Sequence, residues 1–237
     1  MSEQRDACEA GQHARGNHWP DHPAAEDCQP VKGDHTGPAI KRLSSRVVYQ
    51  NPWMTVREDQ IERSDGSRGI FGVIDKPDFA LVIPAEDGWL HLVEEYRYPI
   101  SLRTWSFPQG TMPGRAHADP EAVARRELAE ETGLRAGTLA HLGFLHCSHG
   151  MSLQGCNIFL ATDLHPGAAQ REHEEQDMRQ AWVARGEFEQ MIARGAITDD
   201  ASVAAYALLV MYERRGANPY PSRPLESRPH PEPGTGN

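Results

Sequence analysis

Residues 110–134 read GTMPGRAHADPEAVARRELAEETGL, a Gly/Pro loop that runs into a charged helix. Asp119 suits the N-cap and Pro120 the first helical position, because the proline lacks an N–H that the first turn would leave unpaired anyway. Residues 121–132 contain no breaker, and Gly133 is placed to close the helix. On an α-helix Glu127 and Glu131 are an i,i+4 pair and Glu130 lies one turn from Glu127, so three carboxylates share one face. Ala122, Leu128 and Thr132 can then turn toward a core. Three like charges on one face repel, and the plainer reading is a solvated acidic surface. The context favours a second one. Arg125 and Arg126 lie one turn before the glutamates, where they can orient them, and grouped hard oxygens suit Mg²⁺ or Mn²⁺.

The rest of the chain bounds what such a site could serve. Its 237 residues suffice for one full core plus tails, and the net charge is -10. That charge argues against sequence-independent binding to nucleic acid or to an anionic membrane. A polyanionic small molecule remains acceptable if a metal and a few arginines neutralise it locally. No run is long or apolar enough to span a bilayer, and the first residues, MSEQRDACEAGQHARG, lack an apolar signal core. Cys8, Cys28, Cys147 and Cys156 are too scattered for a disulfide framework, so a cytoplasmic protein is expected.

Three regions are expected: a disordered tail over 1–40, one domain over 41–215, and a Pro-rich disordered tail over 216–237. The first tail holds Cys8, His13, His18, His22 and Cys28, but their spacing fits no zinc module. Within the domain, strands are expected at 46–50, 54–61, 69–74, 79–84, 89–96, 105–108, 139–147, 156–162 and 180–184. Asp65-Gly66 signals a hairpin turn. Helices are expected at 186–194 and 200–214, the latter with Val203, Ala207, Leu208 and Met211 as its apolar stripe. This order is α+β, a mixed sheet covered by a few helices.

The helix carries a resemblance. Residues 126–134, RELAEETGL, match every defined position in the second half of the Nudix box, G-x5-E-x7-R-E-U-x-E-E-x-G-U. The first half departs from it. The box Glu falls on Ala118, with Asp119 adjacent, and the box Gly falls on Met112, so the loop after Gly110 is two residues longer than the pattern. The resemblance covers about residues 45–214. It implies a Nudix-type α/β/α sandwich with a mixed sheet and an N-terminal antiparallel strand region. It also implies Mg²⁺ or Mn²⁺ held by Glu127, Glu130 and Glu131, with Arg126 orienting the carboxylates, and hydrolysis of a nucleoside diphosphate linked to another moiety.

Finer features resemble the branch that acts on ADP-ribose and nucleotide sugars. VEEYRYP at 93–99 and WSFPQG at 105–110 resemble its approach to the box. Arg97 then matches an arginine that reaches a substrate phosphate; the plainer reading is a surface ion pair with Glu94 or Glu95. The backbone carbonyl of Gln109 or Gly110 is a further candidate metal ligand. The loop His173 to Asp177 can supply a general base, Glu174 first and Glu175 next, or be merely a solvated acidic loop. His146 and His149 read as satisfied polar residues at a strand end. Two departures weaken ADP-ribose itself as the substrate: residues 145–150 lack the branch's proline, and Ser106 stands where a Glu is common. The branch also implies a homodimer through the strands of residues 46–74, with Tyr49, Trp53 and Phe71 buried across the two-fold or stacked on a base. The alternative from another class is a catalytically silent Nudix domain that senses a nucleotide.

Overall fold

The computed structural model describes residues 39–112, 118–169 and 177–216. Residues 1–38, 113–117, 170–176 and 217–237 lie outside them, among these His173, Glu174, Glu175 and Gln176. The order is β1 (Ile40–Gln50), β2 (Thr55–Arg63), β3 (Arg68–Asp75), β4 (Phe79–Glu86), β5 (Trp89–Arg97), a 3₁₀ turn (Tyr98–Ile100), β6 (Leu102–Ser106), β7 (Gln109–Gly110), α1 (Pro120–Glu127), a π turn (Leu128–Thr132), β8 (Arg135–His146), β9 (Gly155–His165), β10 (Arg179–Ala184), α2 (Arg185–Ala193) and α3 (Asp200–Arg214).

The apolar run of β4, FALVIPAE, decides the layering. Five consecutive residues, Ala80 to Pro84, are buried. Such a run fits a strand covered on both faces. It pairs in parallel with β9 and antiparallel with β5, at the centre of a seven-stranded sheet of order β10-β5-β4-β9-β8, with β6 on β5 and β7 on β4. Leu81, Ile83, Leu90 and Leu92 pack with Phe107, Phe188, Ala205 and Leu209 beneath α2 and α3. Ala80, Val82, Phe159 and Ala161 pack with Val123, Ala124 and Leu128 of the box helix on the other face. The result is the expected α+β fold, helices on both faces of a mixed sheet.

β4 and β5 pair only at Ala85↔Leu90 and Glu86↔Trp89, then separate. β6 and β7 enter the gap, and the Val82 N–H donates to the Pro108 carbonyl (2.9 Å). This fork delivers Gly110 to the box helix. The free edge of β6 is closed by the chain leading into α3. Trp105 N–H donates to the Ala196 carbonyl (3.3 Å), and Phe107 N–H donates to Ser202 Oγ (2.9 Å).

Two helix readings need correction. The box helix is α only to Glu127, and Leu128–Thr132 is a π turn. Thr132 Oγ1 donates to the Leu128 carbonyl (2.5 Å), a local bond that competes with regular helical pairing. A π turn is wider than an α turn, so residues four apart no longer overlie. Leu128 and Thr132 do face the core, but Ala122 is exposed and Val123 and Ala124 are buried in its stead. In α3 the buried residues are Ala201, Ser202, Ala205 and Leu209, while Val203 and Met211 are exposed. The helix is apolar nearly all round, so periodicity alone did not choose the face. The caps hold: Asp119 accepts from Ala122 N–H (3.1 Å), and Gly133 closes the turn at φ 79°.

β1, β2 and β3 form a separate antiparallel sheet, as expected, although β1 begins at Ile40 and every residue of it is exposed. The turn at Asp65-Gly66 closes β2 onto β3, with Gly66 N–H donating to the Arg63 carbonyl (2.9 Å). No helix among the described residues is long and apolar enough to cross a membrane.

His91 lies on the opposite face of β5 from Leu90 and Leu92. It is 5 % exposed, its ring meets Trp182 edge-on at 4.9 Å, and its Nδ1 has no hydrogen-bond partner among the described residues. Burial pushes its pKa down to about 4. The unfolded chain takes up this proton below its ordinary pKa of 6.5, and the folded chain takes it up only near 4. The His91 contribution is therefore whole above pH 6.5 and is lost as the pH falls toward 4, up to roughly 3 kcal/mol. Denaturant unfolding of His91→Phe at pH 7.5 and pH 4.5 should show a smaller acid-induced loss than wild type. Equal losses would mean that this imidazole is not held neutral.

Candidate active site

Two of the three box carboxylates are buried: Glu127 is 5 % exposed and Glu131 3 %. The plainer reading, a solvated acidic surface, does not hold for these two. Glu130, at 25 % side-chain exposure, is turned to Arg126, whose Nε donates to Oε1 (2.9 Å) and whose Nη2 lies 2.8 Å from Oε2. Arg126 thus holds one box glutamate directly. Arg125 does not serve the cluster: it pairs with Glu121 (2.8 Å) and donates to the Ala136 carbonyl (2.8 Å), pinning the helix to β8.

Gly110 meets Glu127 directly. A Cβ built on Gly110 would lie 2.6 Å from Cδ of Glu127, and closer still to Oε2. Any side chain here would fill the space the carboxylate occupies. β7 is two residues long, and its pairing with Ala80 and Leu81 fixes where this backbone runs. The next residue back, Gln109, sends Nε2 to Asp199 Oδ2 (3.3 Å) at the head of α3. Gln109 therefore ties β7 to α3, while Gly110 faces α1.

The donor set fits a hard divalent cation in one particular way. Among the described residues, no three His, Cys, Asp or Glu side chains converge into a ready-made cage. Mg²⁺ rarely uses one; it keeps several waters and takes one or two carboxylates plus substrate phosphates. Glu127 and Glu131, with the backbone of β7 close by, can supply that share.

Ala118, at the box Glu position, and Met112, at the box Gly position, both pack against the core on the box-helix side. Asp119 does not replace the missing glutamate, because its carboxylate caps α1. Arg97, at the end of β5, pairs with Glu95, so the plain ion pair foreseen in the sequence is present. That arginine is also 41 % exposed and lines a cavity of about 280 Å³ with Pro99, Ile100, Thr104, Thr198, Asp199 and Asp200. His146 and His149 are exposed at the end of β8. Burial pushes the thiols of Cys147 and Cys156 up, which leaves both poor nucleophiles.

One residue escaped the sequence reading. Arg103 on β6 donates to Glu94 Oε2 (2.9 Å), to Asp177 Oδ2 (2.5 Å) and to the Asp177 carbonyl (3.0 Å). It fixes the chain where it returns to the sheet ahead of β10. Its partner lies 74 residues away, and no local pattern announces such a contact.

Residues 76–206 match the NUDIX domain, and residues 40–74 match the nucleoside diphosphate sugar hydrolase N-terminal domain. The chain belongs to the NUDIX family. It is 28 % identical over 190 residues to an ADP-ribose pyrophosphatase of Mycobacterium tuberculosis, covering 79 % of this chain and 90 % of that one. It is 26 % identical over 168 residues to a CMP-5'-(N-acetyl-N-hydroxy-3-aminopropyl)phosphonate hydrolase of Streptomyces rubellomurinus, covering 69 % and 79 %. In fold it is similar to a crystal structure of an ADP compounds hydrolase, with a TM-score of 0.67, 22 % identity, and coverage of 76 % of this chain and 97 % of the other.

The contact between β7 and α1 yields a sharp test. Gly110→Ala forces the Glu127 carboxylate to move, and a misplacement of about 1 Å at a reacting centre can cost on the order of 10²-fold in rate. A fall of that size is expected, with a melting temperature within a few degrees of wild type. Full activity in Gly110→Ala would show that the contact does not set the carboxylate.

Proposed function

We propose that this protein hydrolyses the diphosphate bond of a nucleoside diphosphate linked to another moiety, ADP-ribose or a nucleotide sugar first, using Mg²⁺ or Mn²⁺. It is an enzyme, a pyrophosphatase of the Nudix hydrolase class. The observation that carries the reading is the buried Glu127 carboxylate against the Gly110 backbone, on a helix that reads RELAEET. The ADP-ribose pyrophosphatase relative and the match of residues 40–74 to a nucleoside diphosphate sugar hydrolase region support the substrate class. The phosphonate hydrolase relative keeps the second moiety open.

In this reading a bound divalent cation supplies charge neutralisation at the diphosphate and lowers the pKa of a water. Glu127, Glu130 and Glu131 would hold the cation, with a carbonyl of Gln109 or Gly110 as a further ligand and Arg126 orienting the carboxylates. Arg97 exchanges Glu95 for a substrate phosphate, as a guanidinium at a strand end can. The attacking water loses its proton to Glu174, or to Glu175, in the loop ahead of β10.

A homodimer is part of the same proposal. Tyr49, Trp53 and Phe71 are all exposed in the single chain, together with Val47, Val48 and Ile70. Exposed large apolar side chains of this kind suit an interaction surface, and a second copy of the chain is its proposed occupant. The sensor reading keeps one observation in its favour, the apolar packing of Ala118 where the box has a glutamate.

Phosphate release from a panel of nucleoside diphosphate derivatives, coupled to phosphatase, separates enzyme from sensor. Turnover should require Mg²⁺ or Mn²⁺ and should vanish in Glu127→Gln and in Glu131→Gln, with both variants still folded by circular dichroism. Glu174→Gln should lower kcat by about 10²-fold or more without weakening metal binding, whereas Glu175→Gln should change it little. Wild-type rates in both loop variants would remove the base from this loop.

A further inference from the structure

The chain that leads into α3 runs alongside β6 and β7 and touches them at successive points. Thr104 Oγ1 donates to the Ala196 carbonyl (3.4 Å), and Thr198 Oγ1 lies 3.3 Å from Thr104 Oγ1. Further along, Phe107 N–H meets Ser202 Oγ, and Gln109 Nε2 meets Asp199 Oδ2. The Ser202 contact has a clear duty in the fold. Phe107 and Ser202 are fully buried, so the Phe107 N–H needs a partner that water cannot supply.

The Gln109 bond has no such duty. Asp199 already caps α3 by accepting from Ser202 N–H (2.8 Å), and Ser202 already closes the strand edge. Gln109 and Asp199 are both half-buried, so water can satisfy either side chain. What the bond fixes is the backbone of β7. Successive side chains of a strand point to opposite faces. Gln109 is paired with Leu81, which packs beneath α2 and α3, and Gly110 with Ala80, which packs against the box helix. β7 is therefore a two-residue lever through the sheet. The head of α3 grips one residue, and the next abuts the Glu127 carboxylate.

We propose that Asp199 is a positioning residue for the metal centre: through the Gln109 side chain it fixes the β7 backbone where a carbonyl of Gln109 or Gly110 and the Glu127 carboxylate face one divalent cation. The proposal rests on the metal-site reading above and adds to it a residue from the opposite face of the sheet. In this role Asp199 touches neither cation nor substrate. Groups that stand behind metal ligands in this way are worth about 10–100-fold in metal affinity.

Mn²⁺ binding to the full chain, followed by electron paramagnetic resonance, reads the site without turnover. Asp199→Ser keeps a good N-cap, but its hydroxyl stops short of Gln109. Asp199→Asn loses the same charge and keeps an acceptor oxygen of the same reach. Gln109→Met removes the donor at similar length. Mn²⁺ affinity should weaken about tenfold or more in Asp199→Ser and in Gln109→Met, and stay near wild type in Asp199→Asn. The Asp199→Ser/Gln109→Met double variant should be no weaker than either single one, because both remove the same bond. Melting curves accompany each titration. A lower melting temperature with unchanged affinity in Asp199→Ser makes the residue merely structural and overturns the proposal. Equal weakening in Asp199→Asn and Asp199→Ser also overturns it, since charge rather than reach is then the cause. So does additive weakening in the double variant. Failure of the metal-site reading shows separately, as Mn²⁺ binding that survives in Glu127→Gln, and that outcome removes both.

Discussion

The close approach of the Gly110 backbone to the Glu127 carboxylate is the constraint on which the site depends. It requires β7 to sit within a hydrogen-bonded pairing of β4 while α1 is pressed onto the same strand through Val123, Ala124 and Leu128. β7 can sit there only because β4 and β5 part after Ala85↔Leu90. The fork is in turn held from the α3 side, where Ser202 accepts from Phe107 N–H and Asp199 from Gln109. Displacing the head of α3 would therefore be felt at a carboxylate on the opposite face of the sheet. Burying a carboxylate costs several kcal/mol unless cations and hydrogen bonds compensate it. Such an expense on a helix that could have faced water is understandable where the charge has a function.

Much of this was legible beforehand, for identifiable reasons. The unbroken apolar run of β4 signalled a strand covered on both faces, and period-2 runs bounded by Gly, Pro and Asp signalled most of the others. Asp119-Pro120 and Gly133 marked the ends of the box helix because caps act within one turn. Burial of Glu127 and Glu131 was not legible. Glutamate composition says nothing about which face a neighbouring strand will cover, and no spacing announced the π turn, within which the Thr132 hydroxyl donates to the Leu128 carbonyl. The apolar stripe of α3 was misphased for the opposite reason. With Val203, Ala204, Ala205, Ala207, Leu208, Leu209, Val210 and Met211 all apolar, several faces satisfy the pattern, and the tie is broken only by the sheet.

The contacts that escaped the sequence share one property: they join residues far apart along the chain. Arg103 with Asp177 and Gln109 with Asp199 span 74 and 90 residues. Neither pair has a spacing that a local rule could recognise. The residues involved are ordinary polar side chains whose roles come only from the topology, in which β6 lies between the return into β10 and the head of α3. Motifs reveal chemistry that one element carries alone, whereas the attachments that steady the element are distributed.

The ion pair of Arg97 with Glu95 bears on how an acidic chain could admit a diphosphate. Taken alone, it supports the plain surface reading. Its energetics say less, because a part-exposed pair is worth about 0.2–1 kcal/mol. A phosphate brings more charge than a carboxylate and can engage the guanidinium fork bidentately. Exchange of Glu95 for phosphate would then cost little, while the resting pair keeps the arginine extended along the strand. The same economy applies to the net charge of -10. What a polyanion meets is set by the nearest charges within a Debye length of about 8 Å, not by the total. One guanidinium at the strand end, with a cation on the box carboxylates, would make that neighbourhood attractive within an acidic protein.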